Sequence, residues 1–173
     1  MSHPAFIYPE PKYTGTDGLV NATIQRADAP ADLTYRSGGT AHYLATREST
    51  NGQFGLYRWT MSAQPSGPEP HFHRSISESF YVLSGIIRLF DGREWVDGHP
   101  GDFLFVPEGG HHAFRNESGA PASMLILFAP GCGSGGLFRD ARPRRRGPRH
   151  ERRGARGVLH PSRYVLGSAG LTG

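Results

Sequence analysis

From residue 19 to residue 128 the apolar positions fall in short runs that follow a two-residue alternation, and no segment sustains the 3.6-residue period of a long helix. Residues 19–26, 40–47, 54–61, 80–83, 86–90, 103–106, 111–115 and 123–128 are each rich in β-branched or aromatic side chains. Gly, Pro, Asn or Asp stands between most of them. Eight or more short strands in about 110 residues is the spacing of an antiparallel sandwich or barrel. Asp91-Gly92, between 86–90 and a further short run at 93–96, predicts a hairpin with a type I′ turn, whose two central positions both need φ > 0. No internal repeat is evident, and a helical bundle is excluded.

Composition adds boundaries to that pattern. The chain has 173 residues, 36% of them hydrophobic, which is enough for one domain with an apolar core and too little for two of ordinary size. Residues 1–17, rich in Pro, Tyr and polar groups, read as an N-terminal arm. Residues 18–130 read as the barrel and 131–173 as a flexible tail. The first twenty residues hold Pro4, Pro9 and Pro11 but no apolar run, and no stretch has the length of a membrane span, so a cytoplasmic protein without membrane contact is expected. The formal charge of +4 is unevenly spread. Residues 1–138 carry nine Lys or Arg against thirteen acids, and residues 139–173 carry ten Arg against two. The 142–156 stretch is nearly all Arg, Gly and Pro, buries too little apolar area to offset its ordering entropy, and is expected to be disordered. Nucleic-acid contact by this tail is the lesser expectation, because no aromatic residue is interleaved before Tyr164.

Candidate chemistry lies in the histidines. Four of the nine form two tight pairs, His71-x-His73 and His111-His112, and Glu78 follows the first pair by five residues. On a strand, residues i and i+2 share a face, so His71 and His73 can present two imidazoles side by side, and only one of His111 and His112 can point inward. Two imidazoles and a carboxylate turned into an apolar barrel are costly without a cation or hydrogen-bond partners. With Cys132 the only cysteine, no cysteine cluster is available and any metal must use His and carboxylate ligands. His3, His42, His99, His150 and His160 read as ordinary surface or core histidines.

These residues resemble a known family. Residues 70–85 resemble the first cupin motif, HxH-x4-E-x6-G, and residues 101–116 match the second, G-x5-P-x-G-x2-H-x3-N, at every specified position. Fifteen residues separate Gly85 from Gly101, the short spacing of small single-domain cupins of the RmlC-like superfamily. One departure is that Pro65 stands where the family's first motif opens with glycine, with Gly67 nearby. The resemblance implies an all-β jelly-roll barrel, the antiparallel double-stranded β-helix. It also implies the metal ligands His71, His73, Glu78 and His112, with His111 turned outward. The cofactor expected is one divalent transition metal, and the donor set suits Fe, Mn, Ni, Co, Cu or Zn alike.

Strand parity extends the site. If Glu78 points inward, so do Phe80 and Val82; Phe114 and Asn116 share the parity of His112; Tyr57, Trp59 and Met61 form one face of the preceding strand. The expected substrate pocket is therefore Tyr57, Trp59, Met61, Phe80 and Phe114, suited to a flat or hydrophobic small molecule. For any one of these residues, core packing alone is the simpler account. Arg58, Arg88 and Arg115 read as solvated strand-face charges.

The resemblance implies a metal-dependent enzyme, of dioxygenase type or a Lewis-acid isomerase or cyclase, with Glu78 placed as a catalytic base. The alternative is a non-catalytic module in which the metal only organises a pocket for a small molecule. A phosphosugar isomerase ranks last, because Lys12 is the only lysine and no phosphate loop precedes a helix. Exposed edges and an arm on so small a barrel lead us to expect a homodimer.

Overall fold

The structure is a computed structural model that describes residues 9–133. Residues 1–8 of the arm and residues 134–173 of the expected Arg/Gly-rich tail, with its nucleic-acid contact, lie outside the described residues. Within 9–133 there is no helix, and so none long and apolar enough to cross a membrane. Nine strands occur: β1 Leu33–Thr34, β2 Thr40–Ala45, β3 Gly55–Met61, β4 Ser77–Ser84, β5 Ile87–Phe90, β6 Trp95–Gly98, β7 Phe103–Val106, β8 Ala113–Arg115 and β9 Ala122–Ala129. They form a six-stranded sheet, ordered β1-β2-β3-β9-β4-β7, and a three-stranded sheet, β6-β5-β8, with every pair antiparallel. This is the all-β antiparallel barrel expected from the alternation.

The alternation decides which side chains fill the space between the sheets. On β9, Ala122, Met124, Ile126 and Phe128 are buried, and the intervening Ser123, Leu125, Leu127 and Ala129 are half-buried on the outer side. β9 lies between β3 and β4, so its inner row meets Tyr57 and Met61 on one side and Phe80 and Val82 on the other. Ile87, Leu89 and Phe114 close the core from the smaller sheet. Asn116, fully buried, serves this scaffold. Its amide donates to the carbonyls of Ser62 and Ala120, and its Oδ1 accepts from Ser118, which pins the β8–β9 connection.

Several local expectations need correction. Residues 19–26 form no strand, and Leu19, Val20 and Ile24 are exposed. Their β-prone composition is not enough, because a strand also needs a neighbouring edge to satisfy its backbone. The hairpin after β5 exists but is centred one residue later than Asp91-Gly92. The Asp91 N–H donates to the Glu94 carbonyl, only Gly92 has positive φ (95°), and the Asp91 carboxylate accepts the backbone N–H groups of Arg93 and Glu94. That side-chain turn moves the start of β6 from 93 to 95. β4 begins at Ser77 and not at residue 80, because polar Ser77, Glu78 and Ser79 are already paired with β9.

Gly67 supplies the entry glycine that Pro65 cannot. Its φ is +151°, and a Cβ there would come within 2.0 Å of the Phe114 carbonyl oxygen, next to the bridge between Ser66 and Asn116. Gly67→Ala is therefore expected to cost about 3 kcal/mol or more, because backbone, not a flexible side chain, has to move. A denaturant midpoint indistinguishable from wild type would contradict this packing.

Candidate metal centre

The two motif segments are tied together through their backbones. His71 and His112 form an isolated antiparallel bridge: the His71 N–H donates to the His112 carbonyl at 3.0 Å, and the His112 N–H to the His71 carbonyl at 2.9 Å. The Gly109 N–H donates to the His73 carbonyl at 2.7 Å from a residue with φ of +82°, a conformation that favours glycine at that turn. Glu78 lies on β4 between Val106 of β7 and Phe128 of β9, both buried, so its carboxylate is held at the inner face. One donor atom from each of His71, His73, Glu78 and His112 lies within 4.8 Å of the others. His73, Glu78 and His112 are buried, and His71 is partly exposed. His111 is exposed and His112 buried, the choice that parity left open and the motif resemblance implied.

The rings are oriented from behind. Nδ1 of His112 lies 2.9 Å from the Gly110 carbonyl and Nδ1 of His71 2.9 Å from the Glu69 carbonyl. A carbonyl only accepts, so each Nδ1 carries the hydrogen and each Nε2 is left as the metal-binding atom in the neutral ring. Nε2 of His112 and of His73 lie 2.7 and 3.0 Å from the same Glu78 oxygen, Oε2. Two atoms that each carry only lone pairs do not approach so closely. A proton or a cation has to stand between them.

The electrostatics express the same requirement. Burial opposes charge on His112, but the Glu78 hydrogen bond and negative charge outweigh it and hold the His112 pKa above its ordinary value. Burial likewise opposes charge on Glu78, and the hydrogen bonds from His112 and His73 overcome it, so the carboxyl is held below its usual range. His71 is pushed down, by burial first and then by the neighbouring His112. Three imidazoles and one carboxylate converging in a buried space fit a divalent transition metal, and the donor types do not select among Fe, Mn, Ni, Co, Cu and Zn. Cys132 is buried with its thiol pushed up to about 11, chiefly by burial, and contributes no donor to the group.

The aromatic residues expected around the site divide by distance. Phe80 lies against the His112 ring at 5.8 Å between centroids, Phe114 against Phe80 at 5.6 Å, and Trp59 against Phe114 at 5.8 Å. Tyr57 and Met61 are fully buried in the core, with Tyr57 against Phe128 at 5.7 Å. Phe128, which the sequence reading did not place at the site, meets the His73 ring at 6.1 Å. Its parity with Met124 and Ile126 was the signal available. Two surface grooves of about 220 and 210 Å³, lined by Pro65, Gly67 and Arg115 and by Ile86, Arg88 and Asp97 among others, share no residue with the four-residue group.

Two antiparallel sheets packed as a barrel, with three imidazoles and one carboxylate turned inward, define a class of barrel that could hold a metal. Residues 57–128, which contain both motifs, match the family model described as "Cupin domain", and the chain carries a small cupin domain. Quercetin 2,3-dioxygenase of Bacillus subtilis (strain 168) is 30% identical over 118 residues, which is 66% of this chain. The chain spans about a third (33%) of the length of that relative. The polyketide cyclase RemF from Streptomyces resistomycificus superposes with a TM-score of 0.51 at 25% identity, over 62% of this chain and 78% of that one. KdgF from Halomonas sp. has a TM-score of 0.55 at 14% identity, over 64% of this chain and 94% of its own, a likeness of fold.

Proposed function

We propose that this protein is a metal-dependent dioxygenase acting on a small aromatic molecule with adjacent oxygen substituents. The observation that carries the reading is the convergence of His71, His73, His112 and Glu78 within 4.8 Å, with Phe80 against His112, Phe128 against His73 and Phe114 behind Phe80. Similarity to a quercetin dioxygenase supports it. A divalent metal held by these four residues would supply Lewis acidity toward a chelating oxygen pair and, if redox-active, a route for electrons to dioxygen.

The chain's own residues supply the rest. The Glu69 and Gly110 carbonyls fix the His71 and His112 rings so that Nε2 faces inward. Phe80 and Phe128 keep bulk water from the buried side of the site, which strengthens every charge interaction within it. Glu78, poised as a carboxylate, takes the proton of a substrate hydroxyl. Both atoms of dioxygen enter the product, the electrons come from the substrate, and no external reductant is required.

Metal-loaded protein is expected to consume dioxygen when quercetin or a simpler adjacent-oxygen aromatic is added, followed with an oxygen electrode and by product mass. Glu78→Gln should lower the rate at least about 100-fold. Full activity in a Glu78→Gln protein that keeps its metal would remove the base role. Absence of oxygen uptake across Fe, Mn, Ni, Co and Cu forms would overturn the dioxygenase reading. Similarity to RemF favours a second reading, a Lewis-acid cyclase, and product formation without oxygen uptake would select it.

A further inference from the structure

We propose that two chains of touching aromatic rings carry electrons from half-buried tyrosines to the metal centre, and give the protein a second activity, the reduction of hydrogen peroxide when no organic substrate is bound. This rests on the reading of His71, His73, Glu78 and His112 as a metal centre, and not on the dioxygenase chemistry proposed for it. One chain runs from Tyr35, just after β1, to Trp59 of β3 at 4.9 Å between ring centroids, then to Phe114 of β8 at 5.8 Å, Phe80 of β4 at 5.6 Å and the His112 ring at 5.8 Å. The other runs from Tyr43 of β2 to Tyr57 of β3 at 5.2 Å, then to Phe128 of β9 at 5.7 Å and the His73 ring at 6.1 Å. Each step is a contact between neighbouring rings, so an electron crosses no wide gap on either route.

The order of the rings distinguishes these chains from ordinary core packing. Phenylalanines, which are hard to oxidise, stand against the ligands: Phe80 and then Phe114 on one route, Phe128 on the other. The readily oxidised indole and phenols lie further out. A substrate bound at the centre is therefore the nearer electron donor, and the chains act in its absence. Tyr35, Tyr43 and Trp59 are half-buried, so the outer ends reach water. Burial pushes the Tyr35 and Tyr57 phenols above their ordinary range, so at neutral pH each is neutral and gives up its proton only together with an electron. Reduction of one hydrogen peroxide breaks the O–O bond and consumes two electrons and two protons to give two waters. Tyr35 and Tyr43 each supply one electron along its own chain and release one phenolic proton to solvent, from which the new O–H bonds draw theirs. Each is left as a neutral phenoxyl radical, and Trp59 and Tyr57, having passed an electron on, are restored.

The test treats the full chain, loaded with Cu²⁺ or with Fe³⁺ and desalted, with one equivalent of hydrogen peroxide and a nitroso spin trap, without dioxygen or any organic substrate. A phenoxyl signal is expected in freeze-quenched electron paramagnetic resonance, with trap adducts on Tyr35 and Tyr43 by peptide mass spectrometry. The Zn²⁺ form, which passes no electrons, should give neither. Trp59→Phe should lose the adduct at Tyr35 and keep that at Tyr43, and Tyr57→Phe should do the reverse, a crossed pattern that a merely structural role would not produce. If one variant does not fold, the other still reads its own chain. Adducts unchanged in the folded variants, or equal in the Zn²⁺ form, would overturn the proposal. So would oxygen addition at the ligand histidines or at Cys132 with both tyrosines untouched, or failure of the chain to retain either redox metal. Dioxygen uptake plays no part in this readout, so failure here is separable from failure of the dioxygenase reading.

Discussion

His112→Ala is expected to purify without stoichiometric metal, with affinity for added divalent ions reduced more than about 100-fold, whereas His111→Ala binds normally. The two neighbours differ only in direction. His112 is fully buried with Nε2 2.7 Å from Glu78, and His111 is exposed. His112→Ala should also cost about 3–5 kcal/mol, because it opens a cavity in the core and leaves a buried carboxylate with one partner fewer. His71→Ala separates the two effects. His71 is partly exposed, so its truncation should abolish metal binding at a stability cost of only about 1 kcal/mol. Elemental analysis and denaturant titration of the three variants read both quantities. Normal metal content in His112→Ala, or its loss in His111→Ala, would contradict the assignment.

The second large effect is on heat stability. A cation that binds only the folded chain stabilises it by mass action, by about 2.7 kcal/mol when free metal is a hundredfold above its dissociation constant. For a domain of this size that corresponds to a Tm about 10 °C higher with metal than after chelation. The shift should vanish in His71→Ala/His73→Ala, which lacks two of the three imidazoles. Scanning calorimetry with and without chelator makes the comparison. Equal melting temperatures in the wild type would mean that no ion is held by the folded state.

The strand pattern was legible in the alternation, whereas the four-residue donor set came from the resemblance of residues 70–85 and 101–116 to the two cupin motifs. Alternation fixes which side of a strand a residue faces: it allowed only one of His111 and His112 inward and, once the motif made that His112, placed Phe114 and Asn116 on the buried side with it, as it placed Phe80 and Val82 with Glu78. Parity says nothing about which segments lie opposite each other. The His71–His112 bridge, the Gly109 hydrogen bond to His73 and the place of Phe128 beside His73 depend on contacts between residues 36 or more apart in sequence. The start of β4 was hidden because Glu78 occupies a strand position with a polar side chain. The two-residue β1 is too short to show a period at all. Residues 19–26 show the opposite failure, a strand pattern with no strand, because propensity is local and pairing is not.

The most direct test of the account is a crystal structure of the metal-loaded protein, with data collected at the absorption edge of the bound element. The account predicts one anomalous peak about 2.0–2.2 Å from Nε2 of His71, His73 and His112 and from a carboxylate oxygen of Glu78. A peak elsewhere, or none at these four side chains in crystals soaked with each candidate ion, would contradict it.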